Sequence, residues 1–142
     1  MPKLLLFAPC SHSVIDQDEN TLSLISVLEG LTTSAVLPLP ENAQAPIRWS
    51  IVTVWLRTPE DEGITSEQLT QIILPDGKTA APATLTFQMT HRTHRNRVAV
   101  FGFPISQPGE YRVQLSLREI GDRNGWQVVS EYPIMVTHQT SA

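Results

Sequence analysis

The chain has 142 residues, enough to bury a full core without help from a metal or a disulfide. Apolar residues make up 41% and charged residues 17%, which excludes an intrinsically disordered chain. Ten Lys/Arg against fourteen Asp/Glu leave a net charge of −4, which argues against a general affinity for nucleic acid or for an anionic membrane.

The opening MPKLLLFAPC has the outline of a lipoprotein signal: a lysine, apolar residues, then Cys10. The apolar run at residues 4–8 is shorter than the roughly 7–15 residues of such a signal, so residues 3–10 are expected as a first strand. No apolar run approaches the ~20 residues of a membrane-spanning helix. The expected location is the cytoplasm, and a single cysteine excludes a fold built on an intrachain bridge.

Val14 and Ile15 are expected to continue the first strand after a break. DQDEN at residues 16–20 has turn composition. TLSLISVLE at residues 21–29 follows as a strand, with Leu22, Leu24 and Leu28 on one face and Ile25 and Val27 on the other. LPLPENAQAP at residues 37–46 reads as a connection. IRWSIVTVWLR at residues 47–57 is the best candidate for a central strand. Ile47, Trp49, Ile51 and Trp55 share one face of it; Val52, Val54 and Leu56 share the other.

TPEDEG at residues 58–63 is an acidic loop. Residues 64–74, ITSEQLTQIIL, fit two patterns. The Pro-Asp-Gly turn just after them favours a strand. A weak capping box from Thr65 to Gln68 leaves a helical turn near residues 65–68 as the alternative. ATLTFQM at residues 83–89 alternates with Leu85, Phe87 and Met89 inward, and residues 98–103 form another strand. Between them lies THRTHRNR, expected as the solvated loop of a hairpin. After Pro108-Gly109, Tyr111, Val113, Leu115 and Leu117 alternate with Arg112, Gln114, Ser116 and Arg118, as in an antiparallel strand with one wet face. GDRNG at residues 121–125 connects to a last strand at 126–137, where Pro133 predicts an edge or a bulge. Eight to nine short strands without a long helix predict an all-β fold, an antiparallel two-layer β-sandwich in one domain spanning residues 1–142.

SVIDQDENTLSLISVLEGL, the LPDG turn and PGEYRVQL together resemble a family of small uncharacterised bacterial proteins with an immunoglobulin-like or C2-like β-sandwich. The resemblance implies that fold. It brings no catalytic residues to carry over. Residues 90–96 and the C-terminal THQTSA lie outside it.

Four constellations carry chemistry on paper. Cys10 and His12 sit two apart, where a strand would put them on one face, but an activated thiolate needs a third, orienting group. Asp16, Asp18 and Asn20 begin like a calcium loop, yet Thr21 stands where glycine is needed and Val27 where a bidentate acid is needed. Calcium would then require the acids of residues 60–62 and Asp122 to converge with them. His91 and His94 are two zinc ligands short of a structural site. Arg92, Arg95 and Arg97 could hold phosphates, but no aromatic is interleaved to stack bases, so an acidic protein is the better-matched partner. Finally, strands apolar on both faces point to a covered or partnered sheet face, through Val52, Val54 and Leu56. The expectation is a non-catalytic binding or assembly module without cofactor or metal. It would act in protein–protein contact or self-association through Arg92, Arg95, Arg97 and that apolar face. A loop-based module for calcium or an anionic ligand is the alternative.

Overall fold

Alternation of apolar and polar residues decides almost every element, because a half-buried strand turns every second side chain inward. The computed structural model describes residues 1–122 and 125–139. Its strands are β1 (Lys3–Asp16), β2 (Thr21–Val27), β3 (Gly30–Thr33), β4 (Gln44–Leu56), β5 (Thr65–Ile73), β6 (Thr79–Gln88), β7 (Thr93–Pro104), β8 (Gly109–Glu119) and β9 (Gln127–His138). They form two sheets: sheet A, in the order β2-β1-β4-β7, and sheet B, in the order β3-β9-β8-β5-β6. Among the described residues no helix is long and apolar enough to cross a membrane.

Several expectations need correction. β1 runs without a break from Lys3 to Asp16, because its first half pairs with β4 and its second half with β2. Thr65–Ile73 is strand, as the Pro-Asp-Gly turn after it favours; the alternative helical turn near residues 65–68 does not form, and one lies earlier, at Pro59–Asp61. There Asp61 accepts hydrogen bonds from the Thr58 backbone N–H and hydroxyl, which closes the turn. The sheets are not wholly antiparallel, since β3 runs parallel to β9. β9 also lies inside sheet B rather than at its edge. Pro133 is tolerated there because β3 begins to pair only at Met135, so that flank of Pro133 has no ladder to break. Arg123 and Asn124 of the expected GDRNG connection, and residues 140–142, lie outside the described residues.

The largest correction concerns THRTHRNR. It is not a hairpin tip. β6 ends sheet B and β7 ends sheet A, so the chain crosses between sheets at residues 89–92, and β7 already begins at Thr93. Residues 93–101 pair one for one with residues 56–48 of β4.

The core lies between the sheets in two clusters. Trp49, Ile51, Ile72, Phe103, Tyr111 and Val113 belong to the larger one, and Trp55, Phe87, Met89, Leu115 and Leu117 form the smaller. Leu85 packs against the smaller cluster, and Phe87 and Met89 are in it, as their alternation implies. At the start of β8, the Tyr111 hydroxyl donates to the Gln107 carbonyl and accepts from the Gln107 N–H, pinning the turn before the strand. Residues 46 and 47 of β4 bulge opposite Gly102, which sits at φ 88° and whose carbonyl accepts from the Trp49 indole at 2.9 Å. A side chain there would collide with that of Gln44.

Candidate functional site

Register places the arginines. Arg97 lies opposite Val52 and Arg95 opposite Val54, while Asn96 and His94 lie opposite Thr53 and Trp55. Residues directly opposite in an antiparallel ladder share a face. Arg95 and Arg97 therefore stand on the face of sheet A turned away from sheet B, and Asn96 and His94 point between the sheets.

On that outer face the two guanidiniums meet the end of the β1–β2 hairpin. Arg95 donates to the Asn20 side-chain oxygen at 3.2 Å and to the Asn20 carbonyl at 2.8 Å. Arg97 reaches the Ser13 hydroxyl at 3.4 Å. Ser13, Ile15, Leu22, Val52, Arg95 and Arg97 line one recess of about 350 Å³. Val52 at its base is 2% exposed, so it is not offered to a partner; Val54 and Leu56 are half-buried. Arg92 is exposed in the crossing between the sheets. A second recess, of about 590 Å³, lies nearby and includes His12, Arg48, Ser50, Ala99 and Phe101. Phe101 is 66% exposed and stacks its ring beneath the Arg48 guanidinium at 6.0 Å.

On this face Arg95 and Arg97 form no ion pair among the described residues, although Asp18 and Glu19 of the β1–β2 turn precede Asn20. The strands of sheet A carry Lys3, Arg48, Arg95 and Arg97 against a single acid, Asp16. In sheet B, Arg112 pairs with Glu131 at 2.9 Å and Arg118 with Glu67 at 2.6 Å. Among the described residues no carboxylate stands within ion-pairing distance of Arg95 or Arg97; their hydrogen bonds go to neutral acceptors.

The other sequence candidates are not brought together. Cys10 is fully buried, and burial pushes its thiol up, with the nearby Arg97 charge pulling less strongly the other way. An activated thiolate needs the reverse balance. His94 stacks on Phe87 with ring centroids 4.9 Å apart and bonds Asn96 at 2.8 Å, whereas His91 is exposed. His138 bonds the Ile105 carbonyl. Asp16 accepts from the backbone N–H groups of Asp18 and Glu19, as in an ordinary Asx turn. Among the described residues no three His, Cys, Asp or Glu side chains are grouped to hold a metal ion.

Sequence reasoning missed the polar group inside the core. Gln68 of β5 is fully buried, and its side-chain oxygen accepts from Thr53 at 2.9 Å, Trp55 at 3.1 Å and Asn96 at 3.0 Å. Three strands, β4, β5 and β7, must come together to assemble this group, and no local spacing encodes it. It also missed Phe101, although an aromatic on the outer parity of β7 is a signal that the alternation itself carries; Asn20, read as a calcium-loop position, instead accepts from Arg95.

A scan against protein-family models finds no match to the chain, and a search of curated proteins finds none either.

Proposed function

We propose that this protein is a non-catalytic binding module that receives an acidic protein partner on the outer face of sheet A. One observation carries the reading: on a chain of net charge −4, Arg95 and Arg97 stand side by side with neutral hydrogen-bond partners while the sheet B arginines are neutralised. A protein that keeps guanidiniums without ion pairs on one face gains electrostatic steering for an anionic partner. Phe101 and Leu6, both exposed strand residues, supply apolar contact beside the charge. The immunoglobulin-like or C2-like build belongs to the same proposal. The parallel β3–β9 pair and the Tyr111 corner support its immunoglobulin-like form, and membership of the small bacterial family and a cytoplasmic setting are proposed with it.

The test is calorimetric titration with a polyglutamate peptide and, as control, a polylysine peptide at about 100 mM salt, where charges farther than about 10 Å are screened. The expected result is binding of polyglutamate alone, lost in the triple variant Arg92→Glu, Arg95→Glu, Arg97→Glu. No heat with polyglutamate would end the reading. A second reading rests on the recess beside Val52: its paired arginines over Ile15 and Leu22 suit a small carboxylate or phosphate ligand with an apolar body. Octanoate and inorganic phosphate in the same titration separate it from the first.

A further inference from the structure

β7 has an open edge. It is the last strand of sheet A and pairs with β4 alone, so the other side of its backbone carries no ladder. Unpaired N–H and C=O groups along a strand are a template for another strand, and folds commonly blunt such edges. The edge strand β6 of sheet B is blunted: it contains Pro82, a left-handed Ala81 at φ 51° and a register shift against β5. β3 is four residues long, and β2 is broken near its end by Ser26 at φ 56°. Over residues 93–101, β7 has none of these devices. Every residue there has one partner in β4, and the β4 bulge opposite Gly102 comes after it.

The side chains along this open edge select what could pair with it. Arg95 and Arg97 are two positions apart on one face, so their guanidiniums repeat with the strand period. An added strand would place every second side chain directly opposite them. We infer that β7 accepts an extended acidic segment of a partner protein as a fifth strand of sheet A, with carboxylates at alternate positions facing Arg95 and Arg97. This deepens the proposed function and rests on it. A second copy of this chain does not fit as well, because β7 contains no Asp or Glu to offer to the arginines of its twin. A nucleic acid would satisfy the charges but not the row of backbone donors and acceptors, which a peptide strand matches.

The experiment uses the full chain and three labelled peptides of about nine residues, the length of the regular part of β7. The first carries glutamate at every second position between threonine and valine. The second has the same composition with the glutamates contiguous. The third is the alternating peptide with its alternate backbone nitrogens methylated, which removes donors and keeps charge. Fluorescence anisotropy measures affinity, and amide hydrogen exchange reads residues 93–101. The alternating peptide should bind at least about tenfold tighter than either of the others, a difference expected when strand hydrogen bonds and two facing charge pairs are made together. Exchange in β7 should slow on binding, and the paired variant Arg95→Gln, Arg97→Gln should weaken it about tenfold while keeping the fold. Equal binding of the methylated peptide, or binding without slowed exchange in β7, would overturn edge pairing while leaving an acidic partner on the face. Failure of all three peptides to bind would remove the proposed function as well. A dimer seen by light scattering that the alternating peptide dissociates would assign the edge to a second copy and overturn the inference.

Discussion

Gln68 gathers three donors on one oxygen in the middle of the protein, and the cost of removing that oxygen can be stated. Trp55 sits on the same sheet as Thr53 and Asn96, and all three side chains reach across the gap to β5 for their acceptor. A buried donor left unsatisfied costs about 1–3 kcal/mol, and here two N–H donors would be stranded while the threonine hydroxyl can rotate. Replacing Gln68 with methionine keeps length and volume and removes the acceptor. It should lower unfolding free energy in urea by about 2–4 kcal/mol. A loss under about 0.5 kcal/mol would mean the cluster rearranges around a new acceptor. Asp61 sets a second expectation, this one with pH. Burial pushes its carboxyl up, but hydrogen bonds from the Thr58 N–H and hydroxyl and the adjacent Met1 ammonium at 3.4 Å more than offset this, so it lies below its ordinary value. A carboxyl held low in the folded state stabilises the fold above its ordinary range, and that stability fades as pH falls through the lower folded value. Asp61→Asn should therefore cost about 1–3 kcal/mol at neutral pH, and its stability should decline less than that of the parent protein below about pH 4. Parallel acid limbs in the two proteins would rule this out.

At the scale of elements, the β1–β2 hairpin and β7 hold each other through side chains rather than through a ladder. The tip of the hairpin is fastened to β7 by Arg95 on Asn20 and by Arg97 on Ser13. These bonds are exposed, so each contributes little to global stability. Replacing Arg92, Arg95 and Arg97 together by alanine should change unfolding free energy by less than about 1 kcal/mol. Amide exchange at residues 13–24 should nevertheless speed up, because that part of the hairpin loses its tie. Unchanged exchange would show that Ile15 and Leu22 alone hold it down. The same segment explains why the sequence misleads here. Strands such as β8 are legible because one row is apolar and the other polar. In residues 93–97 both rows are polar: Thr93, Arg95 and Arg97 face water, while His94 and Asn96 face a polar patch of the core. Two polar rows read as a loop. The inward row becomes a strand only because Gln68 and Phe87 arrive from sheet B, and nothing within β7 announces them. β3 was hidden for a related reason: four residues paired parallel to a strand more than a hundred positions later leave no local period.

At the scale of the molecule, charge separates by sheet, and this could be read from the sequence only in part. The arginine run stands out in residues 92–97. That Arg95 and Arg97 form no ion pair depends on which acids fold near them, and Glu60 and Asp61 instead lie near Met1. The separation has a kinetic consequence for any acidic partner. At about 10 mM salt the Debye length is about 30 Å, comparable to the whole protein, so an approaching anion feels the net charge of −4 and is repelled. At about 100 mM it is about 10 Å, and the field near sheet A is that of its own arginines. Toward 1 M it shrinks to about 3 Å and steering is lost. The association rate of the alternating glutamate peptide, followed by stopped-flow anisotropy, should rise between the first two conditions and fall toward the third. The dissociation rate should change far less, because contacts already made are screened less than a distant approach. Arg95→Glu with Arg97→Glu should abolish the maximum and leave a rate that increases with salt throughout. A rate falling steadily from the lowest salt in the parent protein would show that the acidic remainder of the molecule lies too far from the approach path to be felt. The basic face would then be acting as though it stood alone.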